Sequence, residues 1–139
     1  MTKSEKSRLL GVFREEARFW VDVFGLKDWR LSFGFCKDDA LMAVVSYSVV
    51  NKSAVLRLND NWLDGNMGGE VIVPERPDVP SVMRCAFHEV AELLLAEIED
   101  VIQEDPKNEN RINTERHRII RRLENAMLPL RGRIGCGKR

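Results

Sequence analysis

His88, Glu89 and Glu92 stand together in the run AFHEVAELLL (86–95), three groups able to hold a metal or move a proton inside an otherwise apolar segment. At about 100° per residue, His88 and Glu92 lie one above the other on a helix, with Cβ atoms some 5–6 Å apart, so both can reach one ion. Glu89 is turned about 100° away, where an H-E-x-x-H helix carries its general base. Zinc (Zn2+) accepts imidazole nitrogen and carboxylate oxygen alike, but a catalytic zinc needs three protein ligands. The chain has one other histidine, His117, which spacing puts on the flank of a later apolar stripe. Glu124, seven residues on and on nearly the same face, is a substitute ligand or an outer partner, and Cys85 offers either a thiolate or a small buried side chain.

A plainer reading competes with this one. If the core stripe of the helix runs through Met83, Phe87, Val90, Leu94, Ile98 and Val101, then Cys85, His88, Glu89, Glu92, Ala96 and Glu99 form the opposite side. A solvated acidic face with one histidine would carry the same pattern.

The elements that must position these groups are legible from periodicity. Apolar positions from Leu9 to Phe24 recur at threes and fours, predicting a helix from Ser4 to about Phe24 that Gly25 ends. Three β-rich runs follow, Trp29 to Phe35, Ala40 to Val50 and Ser53 to Leu58, separated by the turn-like CKDD and NKS. They predict a three-stranded antiparallel meander. The segment from Asn59 to Pro80 is rich in glycine and proline and reads as a long loop, with a short strand at Val71 to Val73 and a place at the rim of the site. Ser81 is the expected N-cap of a helix from Val82 to about Glu104, and a second helix should run from about Asn110 to Leu128, stopped by Pro129. Packed antiparallel across DPKNEN, the two helices would bring His117 towards His88 and Glu92. The fold class is therefore α+β, one domain over residues 1–130 with a flexible basic tail over 131–139.

Composition limits the setting. The chain of 139 residues is long enough to bury a core without a structural metal, so a metal here would be functional. Its apolar stretches are too short for a membrane span, and MTKSEKSRLL is no signal peptide. Three cysteines, Cys36, Cys85 and Cys136, form no C-x-x-C pair and point to a reducing cytoplasm. The net charge of zero hides an asymmetry: residues 107–139 carry ten Lys/Arg against three Asp/Glu. Arg116, Arg118, Arg121 and Arg122 either pair with the acidic body of the fold or meet a nucleic-acid backbone, with no aromatic residue interleaved to stack bases. Trp20 and Trp29 read as core, Trp62 as an open case.

The order of helix, three strands, loop, H-E-x-x-(H/E) helix and a further helix resembles the minimal zincin-like metallopeptidase fold of SprT-like and ImmA-like proteins. FHEVAELLL and ERHRIIRRLENAML are similar to segments of small phage and prophage proteins of this kind. The resemblance implies a zinc-dependent peptidase in a host cytoplasm, with His88, Glu92 and His117 as ligands, Glu89 as base, and a peptide or host protein as partner. It further implies that the strand beside the active-site helix receives an extended substrate along its edge, here Ser53 to Leu58 with Ala54, Leu56 and Leu58. Glu92 replaces the usual second histidine; its carboxylate would lower the Lewis acidity of the ion. The same resemblance leaves room for a non-catalytic module that binds metal or a host protein.

Overall fold

The structure, a computed structural model, describes residues 1–67 and 76–136, excepting the side chains of 124, 128 and 130–136. The strand expected at Val71 to Val73 lies outside the described residues. The chain forms α1 (Lys3–Val23), β1 (Arg30–Cys36), β2 (Ala43–Ser48), β3 (Ser53–Asn59), α2 (Asp60–Leu63), α3 (Val79–Glu104) and α4 (Glu109–Cys136), a mixed α+β fold. Among the described residues no helix is long and apolar enough to cross a membrane.

The first helix forms where periodicity puts it. Thr2 and Glu5 close a capping box at its start, Leu9, Phe13, Ala17 and Val21 form its buried face, and Gly25 at φ 69° turns the chain away. Trp29, opening β1, is buried with it, and Trp20 packs edge-on against Phe87 of α3 at 4.8 Å between ring centroids.

The sheet is not the expected meander. Its order is β1-β3-β2, with β1 parallel to β3 from Arg30↔Ser53 to Cys36↔Asn59, and β2 antiparallel to β3 from Ala43↔Leu58 to Ser48↔Ser53. A tight hairpin would have paired β1 with β2, but residues 37–42 are long enough to cross the end of β3 instead. Burial explains the choice. Ala54, Leu56, Leu58 and Asn59 make β3 the most enclosed strand, so it takes the centre, while β1 and β2 keep one free edge each.

Two helix boundaries also differ from expectation. Asp78, not Ser81, caps α3: its carboxylate accepts the Ser81 N–H at 3.0 Å, and Pro80 fits the first turn, where no N–H is needed. Pro129 lies inside α4 rather than ending it. Its ring removes one main-chain bond, to Asn125, on an exposed side of the helix where solvent can meet the freed carbonyl. The first part of the predicted long loop is the single turn α2, which tucks Trp62 and Leu63 into the core, so Trp62 is packing rather than groove lining. Lys6 of α1 ties this turn down through Asp60 at 2.6 Å and Asp64 at 2.7 Å.

Antiparallel packing of α3 and α4 is marked by ion pairs. Arg111 meets Glu104 at 3.2 Å, and Arg118 meets Glu97 at 3.5 Å and Glu115 at 3.0 Å. Lys52, in the turn before β3, joins Glu97 at 2.5 Å and Asp28 at 3.0 Å, linking both helices to the sheet. These pairs realise the internal side of the charge asymmetry for Arg111 and Arg118.

Candidate functional site

Helix α3 is rotated from its expected orientation. Its buried positions are Ser81, Val82, Cys85, Ala86, Glu89, Val90, Leu93, Leu94, Ala96 and Val101, whereas Met83 and Phe87 are partly exposed. Relative to the predicted stripe the inward face has turned by most of one residue's angle towards Glu89. The cause is that α3 packs against three neighbours, α1, α4 and β2, so its apolar arc is wider than one stripe. Glu89 is carried into the middle of that arc and is only 5% exposed.

A buried carboxyl needs a partner, and β2 supplies one. The Asn59 N–H donates to the Met42 carbonyl at 2.9 Å, which sets the phase of the ladder. Val44, Ser46 and Ser48 therefore bond to β3, and Ala43, Val45 and Tyr47 turn their main-chain groups to the free edge. The Val45 N–H reaches the Glu89 carboxylate from that edge. Burial nevertheless dominates and pushes the Glu89 carboxyl from an ordinary 4.5 up to about 7; the charge of Glu92 adds to the rise, while His88 and the Val45 hydrogen bond oppose it.

Glu89 forms the floor of a cleft of about 240 Å³ between α3 and the start of β2. Leu41, Met42 and Ala43 make one wall; Arg84, Cys85 and His88 make the other. Cys85 is buried and outside any disulfide, and its role as a small wall residue stands. At the rim, His88 Nε2 lies 3.2 Å from Glu92 Oε1, the pair that i,i+4 spacing called for, with both side chains largely exposed.

The remaining proposed groups are elsewhere. His117 is exposed on α4, with its Nδ1 2.8 Å from the Asn113 carbonyl oxygen. Its neighbour Arg118 is fixed at the level of Glu97, nine residues beyond His88, which is about 14 Å of helix rise. The structure therefore does not bring His117 to His88 and Glu92: antiparallel packing aligns the two helices, but the short connection sets a register that leaves the histidines apart. Among the described residues no three His, Cys, Asp or Glu side chains are grouped to hold one ion. The side chain of Glu124 lies outside the described residues. Ala54, Leu56 and Leu58 do not line a substrate edge either. They are buried, and both hydrogen-bonding sides of β3 are taken; the strand with a free edge beside α3 is β2.

One residue of the site escaped the sequence reading. Asn59, fully buried, donates through Nδ2 to the carbonyls of Asp38 at 2.8 Å and Leu41 at 2.6 Å, and its Oδ1 accepts from the N–H groups of Asp38 at 3.2 Å and Asn61 at 3.0 Å. Asp38 in turn accepts from the N–H groups of Ala40 and Leu41, a closed Asx turn. Together they hold the connection that crosses β3 and forms the apolar wall of the cleft. The signal was the N-D-N-W beginning of α2, where an asparagine before a helical turn is a cap.

No family model, curated protein or solved structure matches this chain.

Proposed function

We propose that this protein is a zinc-dependent, peptidase-like protein that receives an extended peptide along the free edge of β2. The observation that carries the reading is one constellation: an imidazole and a carboxylate one turn apart at the rim of a cleft, a buried carboxyl at its floor, and an edge strand alongside. The resemblance to zincin-like proteins asks for these three parts in this relation, with β2 replacing β3 as the peptide-binding strand.

The spacing of the donor pair suits zinc. With zinc bonds of 2.0–2.1 Å, two ligands of one tetrahedral ion lie about 3.3 Å apart. His88 Nε2 and Glu92 Oε1 at 3.2 Å match that separation. They fit as two of three ligands; the third is supplied by no described residue as placed. Zinc, when bound, supplies Lewis-acid polarisation of a carbonyl. The protein's own residues do the rest: Ala43 and Tyr47 offer main-chain groups to align a peptide, and Glu89 takes a proton from water and hands it to the leaving amine.

The test is elemental analysis of protein purified without added metal. About one zinc per chain is expected, lost in His88→Ala and in Glu92→Ala. Glu124→Ala tests that residue as the third ligand, and His117→Ala, at a residue placed away from the pair, is expected to keep its metal. A wild-type protein without zinc, and with no uptake on titration, overturns the reading.

A second reading has its own observation. Glu89 already accepts the Val45 N–H, an arrangement that also suits a non-catalytic module binding a host protein through the cleft and β2 edge. That reading is favoured if Glu89→Gln leaves partner binding intact and the wild type hydrolyses no peptide.

A further inference from the structure

We propose that the outer face of α4 binds the phosphate backbone of a nucleic acid, independently of the cleft. Internal ion pairs account for Arg111 and Arg118, but not for the whole basic surface. Arg121 is exposed and has no ion pair within 4 Å among the described residues. Arg122, one residue on, has its charge turned towards Asp28 and Glu97 without contacting either. Both lie with His117 and Arg118 on an open face of α4, and no described carboxylate lines that face.

The other lining groups fit the same ligand. Asn113, Thr114 and Asn125 add neutral hydrogen-bonding side chains beside the cations, the set that phosphate and sugar contacts use. No apolar side chain lies on this face; Ile120, Leu123 and Met127 are exposed on another side of α4, so a vesicle arm is needed to separate a nucleic acid from an anionic bilayer. No Phe, Tyr or Trp lines the basic face, so apart from the His117 imidazole the contacts are to the backbone and carry no sequence preference. Arg118 is occupied by Glu97 and Glu115, so about two phosphates are engaged, through Arg121 and Arg122.

The occupant is a nucleic acid of any sequence, held weakly and electrostatically. Fluorescence anisotropy of the full chain with a labelled 20-base-pair DNA and a 20-nucleotide RNA should give a Kd on the order of 10⁻⁵ to 10⁻⁴ M at low salt. The slope of log K against log salt should be about −2 for duplex DNA. Arg121→Ala with Arg122→Ala should weaken binding at least about tenfold and flatten the slope by about two, while Arg121→Lys retains it. Because Arg122 approaches structural carboxylates, the melting temperature is recorded, and Arg121→Ala alone, expected to flatten the slope by about one, stands in if the double variant is unfolded. The proposal is overturned by absence of binding at 50 mM salt, by an unchanged affinity in the folded variants, or by binding to phosphatidylserine vesicles with none to either oligonucleotide.

Discussion

Asn59→Leu should destabilise the protein by about 3 kcal/mol and loosen the cleft wall at residues 38–42. Leucine is close to asparagine in shape, so the change removes hydrogen bonds with little change of volume. It leaves the Leu41 carbonyl and the N–H groups of Asp38 and Asn61 without their buried partner, while the Asp38 carbonyl keeps a bond from Asn61 Nδ2 at 3.2 Å. Each unsatisfied buried group costs about 1–3 kcal/mol, but Asp38 and Leu41 lie near the surface and recover part of that from water. Urea unfolding followed by tryptophan fluorescence measures the stability, and amide exchange at Ala40 to Ala43 measures the wall. A loss below about 1 kcal/mol with unchanged exchange would mean that the crossing connection holds itself, and that Asn59 does not position the site.

Glu89→Gln should have two effects of opposite sign. On the proposed function, peptide hydrolysis should fall by about 10² to 10⁴, the usual contribution of a positioned proton-transfer group, while the shape and the bond from Val45 are retained. Stability should rise at alkaline pH. The folded carboxyl titrates near 7, above its ordinary 4.5, so between these values the unfolded chain releases a proton that the folded chain keeps. Stability of the wild type is therefore full below about pH 4.5 and declines as pH rises through about 7. The loss is about 2 kcal/mol, below the full conversion of the shift because the carboxyl borders an open cleft. Glutamine cannot ionise, so the variant should lack this decline and exceed the wild type by about the same amount at pH 8. Chelator-treated protein is used, so that metal does not enter the comparison. A decline of equal size in the variant would assign the pH dependence to another group.

The local elements were legible in the sequence because their causes are local. Helix α1, the three strand segments and the pairing of His88 with Glu92 follow from spacing alone, since i,i+4 geometry holds in any α-helix. Composition left the C-terminal arginines to meet either the acidic body or a phosphate backbone, and Arg111 and Arg118 meet the acidic body.

What spacing could not decide was the order of strands and the register of helices. Pairing β1 with β3 rather than β2 depended on the crossing connection and on Asn59 as its anchor, a contact between residues 18 and 21 apart in the chain. The distance from His117 to His88 depended on which turn of α4 faces which turn of α3. Glu89 is the sharpest case: the sequence names the residue and its angle on the helix, but a carboxyl at that angle is solvated or buried according to what packs beside it. Only the approach of β2 encloses it, and enclosure is what lifts its pKa towards neutrality. Residue type and spacing determined the chemistry available to this chain; desolvation, which belongs to the assembled fold, decided which carboxyl was placed to use it.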